Sequence, residues 1–149
     1  MTLTADEQQQ RHAIYQYFKE NGKEPSENEM VELLGMGRED AFAALDVLAE
    51  KHALVLSPGS HNIWMMHPFS GVPTEHVVVS DGQTYWANCG WDILGVPVVV
   101  GMDAEAQVDY QDGTGAMEIK IEAGELVEGE GVVHFAVPAK RFWDDVGYT

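Results

Sequence analysis

Ala53-Leu54-Val55-Leu56-Ser57-Pro58-Gly59-Ser60-His61-Asn62-Ile63-Trp64-Met65-Met66 decides how the first half of this chain folds. Two apolar quartets flank Ser57 to Asn62, a loop rich in turn-forming residues, which is the pattern of a β-hairpin with a longer loop. What precedes it is helical. Residues 5–21 place Ile14, Tyr17 and Phe18 on one apolar stripe, and Asn21-Gly22 stops the run. Ser26 reads as the N-cap of a second helix, with Glu29 at the capping-box position and Gly35 as its end. A third helix from Arg38 to His52 buries Phe42, Leu45, Leu48 and Ala49. Three helices followed by a hairpin give a winged-helix outline over residues 1–66.

From His67 the pattern changes to β. Val77-Val78-Val79 and Gln83-Thr84-Tyr85-Trp86 flank Ser80-Asp81-Gly82, and an Asp-Gly pair favours a tight hairpin turn. Pro97-Val98-Val99-Val100-Gly101 reads as a short apolar strand. Met117, Ile119 and Ile121 alternate with Glu118, Lys120 and Glu122, so one face of that strand is wet, with Gly113 and Gly115 turning the chain before it. Val132 to Val137 reads as a further strand stopped by Pro138, and Ala139 to Tyr148 as an aromatic-rich terminal helix. The expected fold class is α+β. A three-helix winged-helix-like module, 1–66, precedes a mixed or antiparallel β-rich core with short helices, 67–149.

The chain has 149 residues, 45% hydrophobic and 22% charged, which describes a globular protein. Its formal net charge is -17. The acidity is shared: residues 1–66 hold 5 basic and 11 acidic groups, and residues 67–149 hold 3 and 14. So few cations cannot neutralise a run of phosphates, which disfavours nucleic acid and anionic membranes as partners. The third helix would be the reading helix of a winged-helix regulator. Its Glu39, Asp40, Asp46 and Glu50 outnumber Arg38 and Lys51, so it repels DNA. No apolar run nears the ~20 residues that span a bilayer. The first residues lack a signal-peptide pattern, and the lone cysteine fits a reducing compartment, so the cytoplasm is the expected location.

That cysteine, Cys89, lies in Trp86-Ala87-Asn88-Cys89-Gly90-Trp91-Asp92. A short helical turn through Trp91 to Leu94 would put Cys89 and Asp92 on one face, where thiol and carboxyl address the same atom. At a helix start the exposed backbone N–H groups would favour the thiolate. A free cysteine also serves as a small buried hydrophobe. His67, His76 and His134 are candidate accessories, although His134 on a strand reads as a core histidine, and His67 and His61 as loop residues. No zinc-ligand spacing is present. The four tryptophans read as core, with Trp86 and Trp91 placed to wall an apolar pocket beside the thiol.

Residues 67–101 resemble the alkylmercury lyase (organomercurial lyase) family through His67-Pro68-Phe69-Ser70, Val72-Pro73-Thr74, Asn88-Cys89, Trp91-Asp92 and Leu94-Gly95-Val96-Pro97. Val133 to Ala139 and Trp143-Asp144-Asp145 extend the resemblance. It implies protonolysis of a carbon–mercury bond, with mercury as substrate and product and no resident cofactor. Cys89 would bind the mercury as thiolate, and Asp92 would handle the proton and share the metal site. The family's second cysteine falls at Glu128-Gly129-Glu130-Gly131, where there is no thiol, and a hard Glu130 oxygen is a poor substitute. A further family segment would lie beyond Thr149. An external low-molecular-weight thiol is therefore the expected partner alongside an organomercurial. The alternative is a non-catalytic member that binds soft metal or a small ligand through Cys89.

Overall fold

The computed structural model describes residues 2–148. Three helices open it: α1 (Ala5–Asn21), α2 (Glu27–Leu34) and α3 (Arg38–Glu50). Thr4 and Glu7 close a capping box on α1, and Ser26 and Glu29 close the expected one on α2. Each box satisfies helix N–H groups that would otherwise lack partners. Gly22, at φ +68°, ends α1 in the left-handed region. A Cβ there would sit 2.3 Å from the Thr84 carbonyl oxygen, so glycine also lets the helix end approach the later sheet.

The hairpin follows as β1 (Val55–Leu56) and β2 (Ile63–Met66), and β3 (Phe69–Ser70) adds antiparallel to β2. A second sheet holds β4 (Val77–Ser80), β5 (Gln83–Trp86), β6 (Ala104–Asp109), β7 (Ala116–Glu122) and β8 (Glu125–Glu128). Its spatial order is β5-β4-β6-β7-β8, and every pairing is antiparallel. Asp81 and Gly82 form the expected β4–β5 turn with both φ angles positive. The fold class is α+β: three helices, then antiparallel sheets with one intervening helix.

That helix, α4 (Gly90–Val100), replaces the strand expected at 97–101. Val98 and Val99 are exposed, whereas Ile93, Val96, Pro97 and Val100 are buried, a helical spacing hidden inside a uniformly apolar run. Burial of that stripe against β4 and β6 outweighs both the β-propensity of valine and the hydrogen bond that Pro97 cannot make. Residues 132–137 are no strand either. The edge beside β7 is taken by β8, and Val132 to Ala136 lie exposed in irregular backbone. His134 is therefore a surface residue and not a core histidine. The terminal helix shrinks to a short 3-10 stretch, Ala139–Asp144. Trp91 and Trp143 are exposed, so the tryptophans are not all core. Among the described residues no helix is long and apolar enough to cross a membrane.

One cluster of buried side chains runs from α1 into the second sheet and includes Ile14, Phe18, Leu45, Phe69, Val78, Tyr85 and Ile93. Phe69 is its pivot. Its ring stacks on Phe18 at 5.4 Å between centroids and lies 5.7 Å from Tyr85. Phe18 is fully buried, so Phe18→Ala should cost about 3–5 kcal/mol, the usual range for truncating a core phenylalanine. Urea unfolding should show a lower midpoint; an unchanged midpoint would mean that α1 does not fold with the rest.

Candidate functional site

The site forms where β3 meets the exit of β5. An antiparallel bridge pairs Phe69 with Ala87. Continuing that register places Pro68 opposite Asn88 and His67 opposite Cys89. Cys89 keeps extended backbone, φ -154°, and acts as the N-cap residue of α4, with its carbonyl accepting from the Ile93 N–H at 3.3 Å. Asp92 lies in the first helical turn and is buried. Gly95 allows α4 to lie on the His67-Pro68 segment, since a Cβ there would be 3.0 Å from the Pro68 Cβ.

Three groups converge on one oxygen, Asp92 Oδ2. Cys89 Sγ lies 3.8 Å from it, Asn88 Nδ2 3.1 Å and His67 Nδ1 3.3 Å. Asn88 Nδ2 also reaches the Pro68 carbonyl at 3.2 Å. Its two hydrogens are consistently assigned to Pro68 O and Asp92 Oδ2, which leaves His67 Nδ1–H to donate to the same carboxylate. The side chain of Asp92 is 11% exposed and that of His67 50%, so the carboxylate is sheltered and the imidazole faces solvent. Asn88 Oδ1 is buried without a partner. Tyr15 of α1 donates its hydroxyl hydrogen to the His67 carbonyl and so fixes the segment from the helical side.

Position at a helix start does not make Cys89 a ready thiolate. Burial pushes its thiol above the ordinary range, and the neighbouring Asp92 charge adds to the rise. The backbone N–H groups of Asp92 and Trp91 pull the other way and lose. Desolvation of a half-buried sulfur beside a carboxylate outweighs the helix terminus.

The sequence expectations are therefore sorted by geometry. Cys89 and Asp92 come together, and His67 joins them instead of being a plain loop residue. His76 does not; its Nε2 lies 3.9 Å from Glu75 on a groove over β4, β6 and β7. Glu130 is held by its backbone N–H on Met117 Sδ at 3.1 Å. Tyr15 was not singled out by the sequence, and Asn88 entered only through the Asn88-Cys89 stretch of the family resemblance, with no role toward Asp92; the i, i+4 spacing of Asn88 and Asp92 is the signal for that contact. The Trp91 and Phe135 ring centroids are 6.0 Å apart, and Trp143 stacks on His52 at 3.9 Å between centroids while standing nearly perpendicular to the His67 ring, 6.4 Å between centroids. Among the described residues no group of three or more His, Cys, Asp or Glu is arranged to hold a metal ion.

A family model described as alkylmercury lyase matches residues 69–149, more than half of the chain and the whole of the Cys89–Asp92 turn. The chain belongs to the alkylmercury lyase family. Among solved structures, a crystal structure of the mercury-bound form of MerB2 superposes with a TM-score of 0.67 at 16% identity. That match covers 85% of this chain and 61% of the other, so this chain spans about three-fifths of its length. At such identity the likeness extends to the fold. No curated protein matches the chain significantly.

The electrostatics are directly testable by thiol alkylation. The pH midpoint for modification of Cys89 should lie above that of an ordinary cysteine. Asp92→Asn removes the repelling charge and should move the midpoint down, so that alkylation at neutral pH becomes faster. A midpoint unmoved by Asp92→Asn would mean that the carboxylate does not act on the sulfur.

Proposed function

We propose that this chain binds an organomercurial through Cys89 and cleaves its carbon–mercury bond by protonolysis, with Asp92 carrying the proton. The observation behind this reading is the 3.8 Å approach of Cys89 Sγ to Asp92 Oδ2, within a segment that matches the alkylmercury lyase family. The half-buried Cys89 thiol must lose its proton before it can bind a soft metal as thiolate, and Asp92 is placed to take that proton. The Cys89 sulfur then bonds mercury as the anionic ligand X leaves, giving Cys89–S–Hg–R and a protonated Asp92. In the second step the electron pair of the carbon–mercury bond takes the Asp92 proton. The products are R–H, ionised Asp92 and mercury(II) still held by Cys89, with X returning to it. Asn88 and His67 hold the carboxylate in place for both transfers. The apolar faces of Trp91 and Phe135 suit the organic group.

Residues 1–66 are read as a supporting winged-helix-like module and 67–149 as the lyase-like core, with neither nucleic acid nor membrane as partner. Within these 149 residues Cys89 is the sole thiol, and in this reading a small thiol supplies the second sulfur. Two sulfurs push more electron density onto mercury than one, and the added thiol then carries mercury(II) away. The rival reading is a binding module that holds the mercurial without cleaving it; the single thiol within these 149 residues favours it, since one sulfur pushes less electron density onto mercury than two.

Benzene release from phenylmercury per mole of protein separates the two. Release should rise with thiol concentration well beyond what keeps Cys89 reduced, and Cys89→Ser should abolish stoichiometric binding of phenylmercury. Fast release without added thiol would mean that a protein group completes the site. Bound phenylmercury with no benzene at any thiol concentration would establish the binding module instead.

A further inference from the structure

The connection between β2 and β3 is a turn of two residues, His67 and Pro68, closed by the Met66–Phe69 pairing. The carbonyls of so short a turn lie outside the strand ladder and need partners of their own. Both find one in a side chain from elsewhere in the fold. Pro68 O accepts from Asn88 Nδ2 at 3.2 Å, and His67 O accepts from the Tyr15 hydroxyl of α1. The same turn carries the His67 ring, whose Nδ1 lies 3.3 Å from Asp92 Oδ2. Tyr15 therefore grips, by its backbone, the residue whose ring holds the Asp92 carboxylate.

The grip has a fixed direction. Arg11 Nη2, one helical turn before Tyr15, donates to the Tyr15 oxygen at 3.1 Å, and the guanidinium lies over the ring at 5.0 Å. With that donor on the oxygen, the hydroxyl hydrogen is left for the His67 carbonyl. Arg11 is drawn to Tyr15 because Glu7, one turn earlier, has both oxygens 2.6 Å from Lys51 Nζ. Burial raises the Tyr15 hydroxyl above its usual range, the Arg11 charge opposes this without cancelling it, and the Asp92 charge adds to the rise. The hydroxyl keeps its hydrogen. The ring itself lies 6.3 Å from Phe69 between centroids, so its packing and its hydroxyl bond can be separated by removing one oxygen.

We propose that Tyr15 is a positioning residue of the Cys89–Asp92 site: through the His67 carbonyl it sets the His67 ring against Asp92, and so the helical module governs the proton step. Cys89 approaches Asp92 from the start of α4, so mercury capture keeps its thiol when the Tyr15 bond is lost. A carboxylate with one anchor loosened transfers its proton to carbon more slowly, by about tenfold. The effect on proton transfer rests on the proposed lyase reading; the effect on the His67 ring does not.

Two measurements on the 149-residue chain separate these claims. First, the ring ¹⁵N shifts of His67 are read at about pH 9, where histidine rings are neutral. The wild type should show the Nδ1–H tautomer, because that hydrogen is donated to Asp92. Tyr15→Phe should show the Nε2–H tautomer that free histidine prefers. The same tautomer in both proteins overturns the proposal, whether or not the chain is a lyase. Second, decay of the protein–mercury–phenyl adduct to benzene is timed with a small thiol present. Tyr15→Phe should form the adduct in full and lose it about tenfold more slowly. His67→Asn, whose amide can donate from nearly the place of Nδ1–H, should retain most of the wild-type rate, whereas His67→Ala should not. A merely structural Tyr15 would slow decay by the same factor with or without the His67 ring. A positioning Tyr15 adds at most about twofold in His67→Ala. Equal factors in the two backgrounds overturn the positioning role, as does unslowed decay in Tyr15→Phe. A wild-type adduct that yields no benzene, with the tautomer change present, removes the lyase reading and leaves the hold of Tyr15 on His67 standing.

Discussion

The pairing of Phe69 with Ala87 joins the hairpin sheet to the exit of β5, and the site depends on it. Phe69 is buried among Phe18, Tyr85 and Tyr15, so helix α1 and both sheets press on one ring. The residues immediately before Phe69 and after Ala87 are then forced to face each other. His67-Pro68 meets Asn88-Cys89, and Asn88 spans the gap by donating to Pro68 and to Asp92. Asp92 thus receives its partners from two distant pieces of sequence that only the core brings into register.

Local signals carried much of the fold into the sequence. The Ile14, Tyr17 and Phe18 stripe with its Asn21-Gly22 stop fixed α1, the Ser26–Glu29 capping box fixed α2 because cap and acceptor are three residues apart, and Asp81-Gly82 fixed the β4–β5 hairpin for an equally local reason. Where the outcome depended on burial, the sequence misled. Pro97 to Gly101 is valine-rich, and whether it becomes strand or helix turns on which side chains find a sheet to cover them. Val132 to Val137 has the alternation of a strand but no free edge to join, since β8 already pairs with β7. The acidic, alanine-rich β6 carries too weak a pattern to be seen alone.

The site divides the same way. Cys89 and Asp92 were legible because their spacing places both on the first turn of a helix. The family resemblance pointed to the same pair, and the family match covers it. His67 as a partner of Asp92 was not legible, because its approach is set by the β3–β5 register. The state of the thiol was misjudged for a related reason. A helix terminus is visible in a sequence, whereas the desolvation that overrides it belongs to the packed structure.

The account's central claim is that Asp92 supplies the proton that ends on carbon while Cys89 holds the mercury. Single-turnover mass spectrometry tests it most directly. Excess protein is mixed with phenylmercury and a small thiol, and the intact adduct and released benzene are followed together. Wild type should form a protein–mercury–phenyl adduct that decays as benzene appears. Asp92→Asn should form the same adduct and hold it, with benzene release slowed on the order of 10²-fold or more, a typical general-acid contribution. Decay of the adduct at the wild-type rate in Asp92→Asn would contradict the account.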